Sequence, residues 1–207
     1  MTSQKQNYSL LLEQTIKSLN GTRPSLLLHA CCAPCSSYVL EYLSQYFDIT
    51  ILFFNPNISP ESEYRFREDE LNRLLSEMPL PYSVEIISGR YAPDEFKSIS
   101  EGLEELPEGS TRCKECYRLR LRECAKIAKE KNFDYFTTTL SISPYKNADW
   151  LNSIGKEEGD GVGIQYLFSD FKKKNGYKRS CELSQEYGLY RQSYCGCEFS
   201  KRQAENK

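Results

Sequence analysis

Seven of the nine cysteines in this 207-residue chain lie in three tight clusters. Disulfide scaffolds space their cysteines so that they join distant loops, whereas close cysteines in a reducing compartment are more typical of metal ligands or redox pairs. The clusters are Cys31, Cys32 and Cys35, then Cys113 and Cys116, and finally Cys195 and Cys197. We therefore expect metal or redox chemistry at these positions.

The first cluster occupies a turn where many nucleotide-binding proteins carry a glycine-rich phosphate loop. The segment 29–35 reads His-Ala-Cys-Cys-Ala-Pro-Cys, between a predicted strand and a predicted helix. The positive end of a helix lowers the pKa of a nearby thiol and favours the thiolate, which is the form that ligates iron or attacks a disulfide. Cys35 either binds a second metal or lies beside the first site without binding it.

The second cluster is a CxxC pair, a spacing that lets Cys113 and Cys116 reach one metal ion. Taken alone, the pair fits zinc, an iron–sulfur cluster or a thioredoxin-like redox site. Together with Cys31 and Cys32 it supplies four thiolates, a number that suits a [4Fe–4S] cluster as well as zinc. Adjacent ligands are unusual in structural zinc sites, so the residues favour iron–sulfur without settling the metal.

The third cluster, Cys195-Gly196-Cys197, can close a small and strained disulfide. Strained disulfides have higher potentials and tend to be catalytic, although both thiols could instead be further metal ligands.

Cys124 falls on the apolar side of a predicted helix and is expected in the core. The role of Cys181 stays open.

Other side chains could serve the same site. His29, the only histidine, ends a predicted strand and is expected to be a hydrogen-bonded core residue, with a role in supporting a neighbouring ligand left open. A single histidine argues against zinc hydrolases that use two or three. A predicted helix beyond the second strand opens at the ligand-binding edge with Tyr64, Arg65, Arg67 and Glu68, although such exposed helix charges are more often solvated. After the fourth strand, the same edge carries residues that either bind phosphate or ribose or form a polar loop: Thr138, Thr139, Ser141, Ser143 and Lys146. The aromatic rings of Tyr190 and Tyr194 could stack on a base, although core packing is the more common use.

The elements that carry these residues alternate between strand and helix. Strands are predicted at 25–29, 48–54, 82–87 and 133–140. Helices are predicted at 4–19, 36–46, 61–77, 116–131 and 145–158, with a final helical turn or two at 183–188. This alternation predicts an α/β fold with a doubly wound, mostly parallel sheet flanked by helices, and ligands beyond the carboxyl ends of the strands. We expect one α/β domain over 1–207, with an N-terminal helical extension at 1–24 and a basic C-terminal segment at 165–207 that carries the last cysteine pair.

The charge balance does not favour a generic nucleic-acid coat, because the formal net charge is −2. Segment 171–207 nevertheless has nine basic and four acidic residues, and its dense part is 172–179. That part is either a solvated face or a local phosphate-binding patch. A polar start and no apolar run near ~20 residues predict a cytoplasmic protein without a membrane span.

Five motifs occur together and in order from residue 29 to residue 197. They are 29–35, then Asn-Pro-Asn-Ile at 55–58, Arg-Cys-Lys-Glu-Cys-Tyr-Arg at 112–118, Thr-Thr-Thr-Leu-Ser-Ile-Ser-Pro-Tyr-Lys at 137–146, and Tyr-Cys-Gly-Cys at 194–197. In this combination the chain resembles the QueH family of epoxyqueuosine reductases.

The resemblance implies a nucleotide-hydrolase-like (HUP-like) fold and a cobalamin-independent reduction of the epoxide of epoxyqueuosine in tRNA to give queuosine. It implies a redox-active disulfide at Cys195 and Cys197 and a second iron for which Cys35 is the natural ligand. The substrate would be tRNA bearing epoxyqueuosine, and the electron donor stays unidentified. The [4Fe–4S] ligands that it implies are Cys31, Cys32, Cys113 and Cys116.

Three other readings compete with this one. An ATP-dependent tRNA-modifying sulfur transferase would need a glycine- and serine-rich phosphate loop after the first strand, where this chain has cysteines. A non-catalytic zinc-binding module would contain zinc without iron or acid-labile sulfide. A thiol–disulfide oxidoreductase would explain Cys113 and Cys116 but leave Cys31 and Cys32 unused.

Overall fold

A five-stranded parallel sheet forms the centre of the computed structural model, which describes residues 6–205. The strands are β1 (Ser25–His29), β2 (Asp48–Phe53), β3 (Glu85–Ser88), β4 (Tyr135–Thr138) and β5 (Gln165–Tyr166). The helices are α1 (Tyr8–Ser18), α2 (Ala33–Leu43), α3 (Glu61–Glu77), α4 (Pro93–Ser100), α5 (Thr111–Glu130), α6 (Ala148–Val162), α7 (Gly176–Glu186) and α8 (Glu198–Glu205). A 3₁₀ turn at Thr139–Ile142 follows β4.

The strand order is β3-β2-β1-β4-β5, and every pairing is parallel. After β1 the chain adds β2 and β3 on one side of the sheet. It then returns and adds β4 and β5 on the other side of β1. In such a sheet the connections after the two central strands diverge and leave a crevice at their carboxyl ends. The predicted doubly wound parallel fold is confirmed, and the crevice lies between β1 and β4.

The central strand is apolar on both faces because helices cover both. Leu26 and Leu28 of β1 belong to the core layer under α1, α2 and α3, whereas Leu27 belongs to the layer under α5 and α6. Successive side chains of a strand point to opposite faces, so a buried parallel strand reads as an uninterrupted apolar run. The run at 25–29 is therefore explained by two separate layers.

Several helices differ from the sequence-based expectation. Helix α2 begins at Ala33, not Ser36, and ends at Leu43, not Tyr46, so that Cys35 lies on the helix. Helix α5 begins at Thr111, not Cys116, so that both cysteines of the CxxC pair lie on it. Helix α6 continues through Gly159, where a Cβ atom would lie 2.6 Å from the carbonyl oxygen of Ile164. That glycine permits close packing and does not end the helix. Helix α7 is longer than the predicted turn at 183–188, and α8 was not predicted.

The proposed division of the chain stays a prediction. Leu12, on the helix of the expected N-terminal extension, is buried in the main core. The expected C-terminal segment contributes β5 to the sheet. Within residues 6–205, none of the helices has the length and apolar character needed to cross a bilayer.

Candidate active site and metal centre

A cavity of about 500 Å³ opens at the carboxyl ends of β1 and β4. The first cluster forms part of its wall, and Arg67 of α3 and Arg120 of α5 form another part. The loop after β4 contributes residues 142–146, and the C-terminal segment contributes residues 191–195, including Cys195. Thiols from both ends of the sequence therefore line one crevice.

The first cluster places three thiols within reach of one metal ion. The sulfurs of Cys31, Cys32 and Cys35 all lie within 4.8 Å of one another, and the Cys31 and Cys32 sulfurs are 3.7 Å apart. Two thiolates bound tetrahedrally at about 2.3 Å from one ion would be separated by about 3.8 Å. The donor set therefore fits a thiophilic metal.

The start of α2 explains why these thiols converge. Cys32 is the N-cap residue in extended conformation, and Pro34 follows in the first turn, where its missing N–H costs nothing. Hydrogen bonds from Cys32 and, to a lesser extent, from Cys35 hold the pKa of the Cys31 thiol well below its usual value. The hydrogen bond to Cys31 raises the pKa of Cys32 to about 12. Cys31 is thus the first thiol of the cluster to ionise.

Two nearly buried guanidinium groups face these sulfurs. Arg67 is 2% exposed and Arg120 is 4% exposed. Arg67 pairs with Glu63, with 2.7 Å between Nη2 and the carboxylate oxygen, whereas the Nε of Arg120 donates to the carbonyl oxygen of Cys116 at 3.1 Å. Buried cations stabilise nearby negative charge, so this wall favours thiolates or an anionic metal centre.

His29 is a core residue, as expected. The ring is fully buried, with Nδ1 2.9 Å from the Thr138 hydroxyl and Nε2 3.1 Å from the carbonyl oxygen of Phe54. Burial lowers the pKa of His29 to about 4, so the ring is neutral near pH 7. A neutral ring whose Nε2–H donates to Phe54 and whose Nδ1 accepts from Thr138 satisfies both partners, and it ties β1 to β4 beneath the cavity.

Cys113 and Cys116 lie on the first turns of α5. Within residues 6–205, their sulfurs fall outside the group formed by the first cluster. Cys113 accepts a hydrogen bond from the backbone N–H of Gly109 at 3.3 Å, and Cys31 packs against the core layer that contains it. Cys116 packs instead with Cys197, and burial raises the pKa of the Cys116 thiol to about 11. Cys113 therefore lies near the first cluster, and Cys116 lies near the third.

The third cluster is held in a defined geometry by backbone contacts. The sulfurs of Cys195 and Cys197 are 3.6 Å apart. Gly196 has φ +117°, a conformation that L side chains rarely adopt, and a Cβ there would lie 2.9 Å from Ile58. Arg67 donates to the carbonyl oxygen of Cys195 at 3.1 Å. The same arginine therefore contacts the third cluster and faces the first.

The two thiols of the third cluster are electrostatically unequal. The hydrogen bond between Cys195 and Cys197 and the positive charge of Lys146 hold the pKa of Cys195 well below its usual value, against the opposing effect of burial. The N–H of Ser200, in the first turn of α8, donates to the Cys197 sulfur at 3.3 Å. Cys195 lines the cavity, and Cys197 is 4% exposed behind it. Cys195 is thus the thiolate presented to a ligand.

Lys146 forms a third cationic group of the cavity wall. Its ammonium is 3.0 Å from a carboxylate oxygen of Glu108. Burial acts to lower the pKa of Lys146, but Cys195, Tyr117 and Glu108 raise it above its usual value. The lysine therefore stays charged beside Cys195.

Three side chains that were not predicted as site residues also line the cavity, namely Arg120, Tyr145 and Arg191. Arg120 could have been found, because it lies four residues after Cys116 and so on the same helix face. Cys124 is fully buried in the core, as expected. Cys181 is half-buried on α7 and is not among the residues that line the cavity.

The fold and the site together define a thiol-dependent α/β protein of metal or redox type. Residues 26–203 match the family model described as epoxyqueuosine reductase QueH. The chain is 44% identical over 204 residues to the epoxyqueuosine reductase QueH of Streptococcus pyogenes serotype M1, with 97% of this chain and 80% of the relative covered. It is 34% identical over 179 residues to that of Thermotoga maritima, with 85% and 90% covered. The chain belongs to the epoxyqueuosine reductase QueH family.

A solved structure supports the fold. It is the U34-tRNA thiolase NcsA from Methanococcus maripaludis with its [4Fe-4S] cluster, with a TM-score of 0.55 over 96% of this chain and 70% of that chain. The sequences are 11% identical, so the likeness concerns the fold alone. It agrees with the HUP-like architecture expected from the sequence.

Proposed function

We propose that the thiols around this cavity carry out the two-electron reduction of epoxyqueuosine in tRNA to queuosine, the reaction of the family to which the chain belongs. The observation that carries the proposal is the single cavity lined by Cys31, Cys32, Cys35 and Cys195. One crevice thereby offers to the same ligand a metal-binding donor set and one thiol of an oxidisable pair.

Cys31, Cys32, Cys113 and Cys116 are proposed to hold a [4Fe–4S] cluster, with Cys35 as a ligand of a second iron. When bound, these groups supply one-electron transfer and a Lewis acid for oxygen. The convergence of three sulfurs in the first cluster supports the metal site, and the cationic wall of Arg67 and Arg120 supports an anionic centre.

The third cluster is proposed to supply the two electrons. Cys195 and Cys197 would change from dithiol to disulfide while both C–O bonds of the epoxide break and a C=C bond forms. The oxygen leaves as water with the two thiol protons, so atoms and electrons balance. An external donor then returns two electrons and two protons to the disulfide. The lowered pKa of Cys195 supports its role as the reacting thiolate.

Two further features complete the proposal. We propose that the reaction needs no cobalamin, as the family resemblance implies, and that it takes place in the cytoplasm, as expected from the sequence. Activity of protein prepared and assayed without cobalamin would support the first point. Recovery of the native protein in the membrane fraction of lysed cells would contradict the second.

The first test is iron and acid-labile sulfide content of the full chain purified without oxygen, together with conversion of tRNA bearing epoxyqueuosine. We expect about four irons or more with matching sulfide, lost in Cys31→Ala and Cys113→Ala. Cys181→Ser is the matched control, because that thiol does not line the cavity, and it should retain both. One zinc with no sulfide and no conversion would overturn the proposal in favour of a zinc-binding module.

A further inference from the structure

The rim of the cavity carries one strongly projecting aromatic ring. Tyr145, in the loop between the 3₁₀ turn and α6, is 78% exposed although it lines the cavity. In proteins that bind single-stranded nucleic acid, exposed aromatic rings beside a groove serve as platforms on which bases stack. Core packing does not explain this ring.

A cation without a carboxylate partner lies on the same rim. Arg191 is exposed, and its Nη1 donates to neutral acceptors only, the hydroxyl of Ser184 at 3.0 Å and the carbonyl oxygen of Ser180 at 3.4 Å. Its guanidinium is 5.8 Å from the ring centre of Tyr177. Tyr177, Tyr145 and Arg191 all belong to the lining of one cavity.

The basic segment 172–179 is less available for phosphate. Lys172 is 2.6 Å from an Asp170 oxygen, and Arg179 is 2.6 Å from a Glu41 oxygen. Lys174 pairs with Glu13, and Lys178 lies 3.8 Å from Glu182. Phosphate binding by these four side chains would compete with carboxylates already in place. Lys173 and Arg191 have no such competitor among the described residues, and of these two only Arg191 lines the cavity.

The size of the cavity decides what can enter it. A volume of about 500 Å³ suits one small-molecule-sized group. A modified nucleoside of tRNA can reach thiols at this depth only when it is extruded from its neighbours, as in other enzymes that act on single bases. The adjoining nucleotides then lie outside, against the rim.

We infer that Tyr145 and Arg191 form a clamp for the nucleotides next to the modified nucleoside, with Tyr145 stacking on a neighbouring base and Arg191 binding a backbone phosphate. This inference rests on the proposed function, since it takes tRNA as the substrate. It gives the two residues positioning roles, because neither touches the reacting epoxide.

The test is equilibrium binding of tRNA by the full, anaerobically purified chain, without reductant, over a range of salt concentrations. We expect Tyr145→Ala to weaken binding by about tenfold, the size found for loss of one base–aromatic stack, and Tyr145→Phe to remain within about twofold of the wild type. Arg191→Ala should reduce the slope of log affinity against log salt by about 0.7, and Arg191→Lys should restore it.

Matched controls lie at the opposite edge of the sheet. Tyr82 is 53% exposed shortly before β3, and Lys131 is exposed before β4. Alanine at either position should leave binding and its salt slope unchanged. Wild-type binding by Tyr145→Ala and Arg191→Ala would overturn the clamp, as would a loss of binding confined to Lys172→Ala and Lys178→Ala, which would place the contact in segment 172–179.

Binding and turnover are measured separately, so the two proposals can fail independently. Normal conversion of epoxyqueuosine by wild type with no effect of the rim variants on binding would overturn the clamp alone. Clamp-dependent tRNA binding without any reduction would support the clamp and overturn the proposed chemistry.

Discussion

Cys195 and Cys197 have similar sequence surroundings but different environments in the folded chain. Cys195 faces the cavity beside Lys146, whereas Cys197 is held behind it by the first turn of α8. A thiolate that is exposed to ligand attacks first, and a buried neighbour resolves the reaction. This placement supports the proposal that Cys195 reacts before Cys197.

We predict that Cys195→Ser abolishes multiple turnover, leaving less than about one product per chain, because serine cannot close a disulfide with Cys197. The measurement is queuosine formed per chain by anaerobic protein with excess reductant. Iron content should stay at the wild-type level, which separates this role from metal binding. Normal multiple turnover by the variant would remove the dithiol from the mechanism.

A second residue-scale prediction concerns Gly196. We expect Gly196→Ala to lower the free energy of unfolding by about 1–3 kcal/mol, because its φ of +117° is strained for alanine and the added Cβ would meet Ile58. Urea denaturation of the reduced protein measures this. Disulfide formation between Cys195 and Cys197 under mild oxidation, read as loss of two hydrogens by mass spectrometry, should slow.

The matched control is Gly102→Ala. Gly102 has φ +75° with no atom within 4 Å of a built Cβ, so it carries backbone strain without a clash. Its loss of stability should be the smaller of the two, and thiol oxidation should be unchanged. Equal effects of both substitutions would mean that the contact with Ile58 is not important.

At the scale of elements, the start of α5 depends on one buried arginine. Arg112 is 1% exposed, and its Nη1 donates to the carbonyl oxygens of Leu103, Glu104 and Leu106 at 2.6–2.8 Å. These carbonyls belong to the acidic loop before the helix. The guanidinium also stacks on Phe199 of α8, 4.6 Å from the ring centre. Arg112 therefore joins the helix that carries the CxxC pair to the helix that follows Cys197.

We predict that Arg112→Ala lowers the free energy of unfolding by about 2–4 kcal/mol, because three carbonyl oxygens lose a charged donor inside the protein. Denaturant unfolding measures the loss, and limited proteolysis should show earlier cleavage in the loop 101–109. Arg122→Ala on the same helix is the control, since its exposed ion pair with Glu158 is worth about 1 kcal/mol or less. An equal effect of both substitutions would contradict the proposed role of Arg112.

At the scale of the whole molecule, two core layers share one strand. Leu28 is buried among the residues under α2 and α3, and Leu27 among those under α5 and α6, and both are fully buried. Because β1 belongs to both layers, neither can open without disturbing the other. The cavity at the end of this strand is thereby fixed from both sides.

We predict that Leu27→Ala and Leu28→Ala each lower the free energy of unfolding by about 3–5 kcal/mol through lost burial and a residual cavity. Unfolding should remain a single transition when followed by fluorescence and by circular dichroism. Leu10→Ala, at a position 48% exposed, should change stability by less than about 0.5 kcal/mol. Separate transitions for the two probes in either variant would show that the layers unfold independently.

Local sequence patterns predicted many of the strands and helices. The bounds of β1 and α3 were predicted to the residue, because an apolar run between turn residues and a long 3.6-residue periodicity depend only on neighbouring positions. The first residues of α5 and the whole of α8 were not predicted. Their stability comes from contacts with distant segments, such as that of Arg112 with Phe199.

The sequence by itself determined the parallel fold, the three cysteine clusters and the family, because residue types, spacing and motif order are properties of the chain alone. Only the tertiary structure decided which side chains share the cavity. Cys35 lies beside Cys31 and Cys32 because the first turn of α2 places its sulfur within 4.8 Å of theirs. Cys195 lines the same cavity because the C-terminal segment returns to α3, where the carbonyl oxygen of Cys195 accepts a hydrogen bond from Arg67. Such convergence depends on the paths of distant segments through space, which no local pattern of residues encodes.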